Sequence, residues 1–415
     1  MCVSYDAYGD KLSAALAVGN GSSLQVIENR DFSNSLGHFY ATMTSYLGFQ
    51  PGEDEYKIMG LSPYGKANYD LTLFAAPSDD GYQVNNKFIN YNNNPTVFEP
   101  FYTDALVDLL GPARHKNEPI SQRHMDIAYA TQQALESCAQ SLIQYTYKIT
   151  GKTKLCLAGG VALNCSCNYV LSNLSFIDDI FIQPAASDRG LSLGAALYAA
   201  VEHGEEVKPI NNVFWGPSYS DDDILSALRV TGINYQFASN PAYVGAELVS
   251  EGAVVAWFQG RSEFGPRALG HRSILADPTN PKMKDILNSK IKFREGFRPF
   301  APSVIEENAS QYFDLKNPSP YMTIATGVVS EHRENLPSVT HINNTARVQT
   351  VSKNVDPLYH ELISTIATHN GFPIVINTSF NVKGQPIAER PIDAISTFRG
   401  SGIDQLIIGN YILQK

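Results

Sequence analysis

Apolar positions along this chain recur with two periods. Between 121 and 149 they keep helical spacing, with Ile127, Ala134, Cys138, Leu142 and Tyr145 on one stripe, Ser121 placed to cap the start and Gly151 to close the end. The run LCLA from 155 reads as a strand that stops at the adjacent Gly159 and Gly160. A short helical stretch NCSCNYVLSNL, a strand DIFIQ, a loop PAASDRG and a small-residue helix LSLGAALYAAVEHG ending at Gly204 follow in turn. This alternation predicts an α/β layer whose functional loops follow strand ends.

Residues 206–223 mix charges, prolines and glycine without period, and predict a linker between a first domain over 1–205 and a second over 224–415. In the second, AVVAWFQG at 253–260 and PIVI at 373–376 read as strands, PIDAISTFRG as a helix and DQLIIGNYIL as a closing strand. The Asn-rich stretch at 92–95 reads as a surface loop.

With 415 residues, 43% of them hydrophobic and 17% charged, the chain has the balance of a soluble enzyme of two or three domains. It contains nothing near the ~20 consecutive apolar residues of a membrane span. The start MCVSYDAYGD has no basic segment or apolar core of a secretory signal, so a cytoplasmic location is expected by default. Five cysteines form no paired zinc frame and are read as reduced, with Cys165 and Cys167 in packing roles. A net charge of −10 argues against a general nucleic-acid coat. The distribution changes that picture locally. Residues 261–298 hold nine Lys/Arg against four acids, a local +5 that leaves −15 for the rest. Such a segment is either a pocket for a small anion or a solvated basic face.

The candidate chemistry falls in two places. In the first domain, Gly159, Gly160 and Asn164 follow one strand and Asp188 lies after the next, while Asp6 and Asp10 sit around a turn near the start. Loops at one strand edge can cradle phosphates and offer a carboxylate to a divalent cation, although a tight strand-to-helix turn uses the same residues. In the second, FQGRSEFGPRALGHRSILADP carries Arg267 and Arg272, and KIKFREGFRPFAP carries Lys292. Guanidinium groups suit phosphate or carbamoyl oxygens, and an ammonium suits a transferring phosphoryl group. Thr345 and Arg347 in NNTARVQT and Ser379 and Asn381 in NTSFN add short polar groups after strands.

These motifs, GGVALNC, EFGPRALGHRSILADP, FRPFAPSV, TARVQTV and NTSFNVKGQPI, resemble in order those of the NodU/CmcH carbamoyltransferases over nearly the whole chain. The resemblance implies an actin-like (ASKHA) domain followed by a YrdC-like α/β domain. The second would make carbamoyl-adenylate from carbamoyl phosphate and ATP, with Arg267, Lys292, Arg347, Ser379 and Asn381 lining the site. The first would pass the carbamoyl group to a small-molecule hydroxyl acceptor, using Gly159, Gly160 and Asn164 with a divalent metal, Fe or similar, on Asp6 and Asp188. No nucleic-acid or membrane partner is implied, and a homodimer is possible. Family members carry a histidine pair at helical spacing upstream of the position of Asp6. This sequence has no H-x-x-x-H pair, so the expectation is a first domain lacking its N-terminal part, with metal binding weakened. The rival expectations are an enzyme of threonylcarbamoyl-adenylate type serving tRNA and a nucleotide-binding remnant without transfer activity.

Overall fold

The computed structural model describes residues 1–91 and 100–415; the Asn-rich stretch at 92–95 lies outside them. The chain divides into two compact units, Met1–Lys208 and Pro209–Lys415. Both are mixed α/β, and among the described residues no helix is long and apolar enough to cross a membrane.

In the first unit, strands β1 (Cys2–Gly9), β2 (Leu12–Asn20) and β3 (Ser23–Asp31) form an antiparallel meander. Asp10 and Lys11 make its first turn at φ +50° and +66°, so Asp10 is a turn residue. Helices α1 (Leu36–Tyr46) and α2 (Glu55–Leu61), the hairpin β4 (Ala75–Ser78) and β5 (Gly81–Val84), and α3 (Asp104–Leu110) follow. The long helix α4 (Gln122–Thr150) forms where the spacing predicts it, with Gly151 left-handed at φ +64°. The main-chain N–H of its cap, Ser121, donates to His124 Nδ1 at 3.0 Å. On the expected stripe Ile127, Cys138 and Leu142 are buried, but Ala134 and Tyr145 are only half-buried, and Leu135, Ile143 and Thr146 complete the inner face.

Strand β6 (Lys154–Ala158) pairs in parallel with β1 on one side and with β7 (Asp179–Ile182) on the other, giving the order β3-β2-β1-β6-β7. Helix α5 (Cys165–Ser172) lies between β6 and β7 in the chain, and α6 (Leu191–Glu202) ends the unit. Side chains alternate across the sheet: Val3, Tyr5, Leu155 and Leu157 are buried, whereas Ser4, Lys154 and Cys156 are exposed. Helix α6 has no buried residue, with Leu191 and Tyr198 67% and 69% exposed.

The second unit opens with α7 (Asp221–Thr231), β8 (Tyr235–Phe237), α8 (Pro241–Ser250), β9 (Val255–Phe258), β10 (Arg272–Ala276), α9 (Met283–Leu287) and β11 (Ala301–Ile305). It continues with α10 (Ala309–Tyr312), the short pair β12 (Ala325–Gly327) and β13 (Thr345–Arg347), β14 (Gln349–Val351) and α11 (Pro357–Asn370). It closes with β15 (Ile374–Ser379), α12 (Pro391–Arg399), β16 (Gln405–Ile408) and β17 (Tyr411–Gln414). Eight strands make one mixed sheet in the order β14-β11-β15-β10-β9-β16-β17-β8. The closing apolar run is two strands, not one, because Gly409 at φ +55° turns the chain back.

Both faces of this sheet are covered. Val255, Trp257, Leu275, Val375 and Ile407 pack in a core with Ala246 of α8 and Ile363 of α11. Their neighbours Ala256, Phe258, Ile274, Ile376 and Leu406 join Leu228 of α7 and Phe398 of α12 on the other side. Continuous apolar strands such as VVAWF follow from that double burial. The segment expected as a linker is laid along the loop after β9. Phe264 N–H donates to Val213 O at 2.7 Å and Ser262 N–H to Pro217 O at 3.1 Å.

Candidate functional site

In the second unit, three of the expected residues meet directly. Lys292 ends a π-helical turn, Asn288–Lys292, that continues α9, and Phe293 after it is left-handed at φ +45°. The extra residue of such a turn re-aims the side chain. Its Nζ donates to Ser379 O at 2.5 Å, to Asn381 O at 3.0 Å and Oδ1 at 2.9 Å, and to Ser379 Oγ at 3.3 Å. Ser379 ends β15, and its hydroxyl donates to Asn381 Oδ1 at 2.7 Å. Lys292 is 6% exposed. Burial holds its ammonium well below the usual lysine range, and the charges of Arg294 and Arg298 push it the same way.

The cationic field extends further. Burial lowers Lys284, with Arg294 contributing, and burial pushes His341 down to about 3, helped by Arg347 and Lys284. Arg294 is braced by Asn288 Oδ1 at 2.7 Å and lies over the Phe300 ring at 4.4 Å. Arg298 sits 3.8 Å from Glu295. Thr345 donates to Asn343 Oδ1 at 2.8 Å and lies 3.3 Å from His341 Nδ1. Like charges gathered close together repel one another, and a polyanion between them relieves that repulsion. The charge count along the sequence marks the basic segment, but gives Lys284, Arg294, Arg298 and His341 no individual role.

Arg267 is half-buried in the loop that leads into β10. That loop reaches the sheet where β15 ends, since Ser273 pairs with Ser379. Gln349, two residues past Arg347, donates to Leu269 O at 2.7 Å and accepts from Ser303 Oγ at 2.6 Å and Asn377 Nδ2 at 2.9 Å. The loop of Arg267 and the segment of Arg347 are thereby tied by a buried polar network. Arg272 differs from the expectation that it binds phosphate or carbamoyl oxygens. It is wholly buried, its guanidinium is 3.6 Å from the Phe258 ring centre, and it donates to the carbonyls of Gln259 at 2.6 Å and Gly260 at 3.2 Å. Arg272 holds backbone.

In the first unit, Asp6 lies at a break in the β1–β2 register between Tyr5 and Gly9, which takes it out of the ladder. Its Oδ2 accepts from Gly160 N–H at 2.6 Å and its Oδ1 from Ala7 N–H at 2.7 Å. Gly159 donates to Ala186 O at 2.7 Å, so the glycine turn bridges the register break of β1 and the loop after β7. The paired glycines have a steric cause: a Cβ on Gly159, at φ +89°, would stand 2.1 Å from Tyr5 O, and one on Gly160 2.7 Å from Asp6 Oδ1. Both glycine amides are engaged within the protein.

Asn164 caps α5 through Cys167 N–H at 2.9 Å and exchanges two bonds with Gln132 at 3.0 and 3.1 Å. Gln132 also accepts from Tyr40 at 2.9 Å and donates to Glu136 at 2.7 Å. Burial raises the Glu136 carboxyl against the pull of Gln132 and Gln133. This group was missed in the sequence, although Gln132 and Glu136 lie one turn apart on α4. Asp188 is exposed, at the start of a 3₁₀ turn before α6. Among the described residues no group of three or more His, Cys, Asp or Glu is placed to hold a metal ion. Asp6 and Asp188 alone supply too few donors for a divalent cation, so no step is assigned to a metal here.

Residues 1–197 match the family model described as carbamoyltransferase N-terminus, and residues 246–415 the one described as carbamoyltransferase C-terminus. The chain is 39% identical to nodulation protein NolNO of Sinorhizobium fredii, over all of this chain and 61% of that protein. It is 38% identical to nodulation protein NolO of Bradyrhizobium diazoefficiens, over 99% of this chain and 74% of the relative. Nodulation protein U of Rhizobium tropici is 34% identical over 59% of this chain and 41% of its own length. The chain thus spans between about two fifths and three quarters of these relatives, and by both domain matches and the NolO likeness it belongs to the carbamoyltransferase family.

Proposed function

We propose that this chain is an ATP-dependent O-carbamoyltransferase that uses carbamoyl phosphate and acts through carbamoyl-adenylate on a hydroxyl of a small natural product. The observation that carries the reading is the buried Lys292 with Ser379 and Asn381, set among Arg294 and Arg298. In the first reaction, carbamoyl phosphate, ATP and water give carbamoyl-adenylate, phosphate and pyrophosphate. Charge develops on phosphoryl oxygens, and fixed cations in a water-poor site stabilise it with little reorganisation. Lys292 would exchange part of its four-acceptor shell for phosphate oxygens. Ser379 and Asn381 would then orient the nucleotide, and Arg267 and Arg347 would meet the anion from their own segments. In the second reaction the acceptor oxygen attacks the carbamoyl carbon and AMP leaves. The polar group Asn164, Gln132, Glu136 and Tyr40 is suited to order a hydroxyl ligand in the first unit.

The test is pyrophosphate release from ATP. Under this reading it depends on carbamoyl phosphate and needs neither threonine nor bicarbonate. Release that requires threonine and bicarbonate would indicate threonylcarbamoyl-adenylate chemistry, and no release under any condition would indicate a binding remnant.

A further inference from the structure

The loop bearing Arg267 is held from inside by one side chain. Glu263 Oε1 accepts from the main-chain N–H of Leu269 at 2.7 Å, of His271 at 2.9 Å and of Arg272 at 3.2 Å. The first of these bonds closes a loop that contains Gly265, at φ +123°, then Pro266 and Arg267. Three N–H dipoles on one oxygen call for an acceptor carrying more charge than an amide oxygen has, because each added donor draws on the same electron density. Other bonds fix the two ends. Ser262 donates to Glu389 at 3.0 Å, and Gln349 donates to Leu269 O at 2.7 Å. Neither of these spans the turn itself, and the Glu263 carboxylate does.

We propose that Glu263 is the positioning residue for Arg267, setting the loop conformation in which that guanidinium meets the anionic substrate. The inference rests on the carbamoyl-adenylate reading above for what Arg267 does, and adds how it is placed. Glu263 need not touch substrate. Its charge is directed at backbone, and its effect on turnover passes through Arg267. Replacement by Gln keeps the length and one acceptor oxygen but removes the charge. Replacement by Asp keeps the charge but withdraws it by one methylene.

A double-mutant cycle on Glu263→Gln and Arg267→Ala tests this, read as kcat/KM for carbamoyl phosphate in pyrophosphate release and, in parallel, as affinity for inorganic pyrophosphate by calorimetry. Glu263→Gln is expected to lower kcat/KM by roughly tenfold or more, with the double variant no worse than Arg267→Ala alone. Full additivity in both readouts would overturn the proposal, since Glu263 would then act independently of Arg267. So would a Glu263→Gln protein with wild-type kinetics. A wild type that binds pyrophosphate but turns over nothing overturns the activity reading, and the calorimetric cycle still decides the positioning role. Thermal unfolding of each variant separates loss of fold from loss of placement: a Glu263→Asp protein that melts like wild type but retains the kinetic defect supports the proposal, and one that melts early with an additive cycle counts against it.

Discussion

The two candidate sites are built from different materials. In the second unit, basic side chains converge from separate segments on a sheet covered on both faces, and the scaffold beneath them has alternating residues of each strand in two cores. In the first unit, the site is made by backbone proximity and neutral amides: Gly160 on Asp6, Gly159 on Ala186, Gln132 on Asn164. There the sheet buries one face, and the apolar helix α6 has no buried residue. The contrast indicates how each site should fail. A site of concentrated charge loses chemistry when one charge is removed, whereas a site of close backbone contact loses structure when one atom is added.

The largest effect is expected from Arg267→Ala. The residue is half-buried and contributes charge in place of core volume, so carbamoyl phosphate-dependent pyrophosphate release should fall about a hundredfold or more while thermal unfolding changes little. Release near the wild-type rate from the folded variant would remove Arg267 from the site.

Gly159→Ala should show the opposite signature. The added Cβ meets Tyr5 O at 2.1 Å in a backbone conformation that L-residues rarely adopt, so the cost is on the order of 3 kcal/mol and falls on the first unit. Calorimetry should show one transition moving down, with pyrophosphate release at low temperature retained. Asn164→Ala should be smaller, about 1 kcal/mol for the lost helix cap, with a further penalty because Gln132 loses both bonds to it.

The effect smallest at neutral pH, and growing only in acid, is a pH signature in the second unit. His341 is lowered to about 3 by burial, so between that value and the unfolded value near 6.5 the unfolded chain binds more protons than the folded one. Its contribution to stability is therefore complete above the unfolded value and is lost as pH falls toward the folded one. His271 has the opposite sign. Despite burial, Asp356 at 3.2 Å raises it, and its contribution is present at low pH and lost as pH rises through the folded value. His341→Asn should flatten the acid limb of the unfolding curve and leave the neutral limb. An unchanged acid limb would show that His341 does not titrate as its burial requires.

How far the sequence carried these sites follows from the same contrast. Helical spacing placed α4 with its cap and terminal glycine, because both ends are local signals. The apolar runs marked β9 and β15, because strands buried on both faces leave no polar interruption. The closing run hid a hairpin, although its Gly409-Asn410 pair was a readable turn signal. Lys292, Ser379 and Asn381 could be nominated one by one, but their contact across 87 and 89 positions is a property of the fold. Arg267 and Arg272 look equivalent in the sequence. Only burial and the Phe258 ring show that Arg272 is structural. The paired glycines were legible as a place where something comes close, and what comes close in this structure is the protein's own strand β1.

Under the proposed function, adenylate formation belongs to the charge cluster of the second unit alone. That assignment is tested most directly by carbamoyl phosphate-dependent pyrophosphate release compared among the wild type, Lys292→Met and Asp188→Ala. Lys292→Met removes the buried ammonium and keeps much of its volume, so release should drop by about a hundredfold or more. Asp188 belongs to the first unit, and its removal should leave release at the wild-type rate. Parallel loss in both variants, or none in Lys292→Met, would contradict the division of labour between the two units.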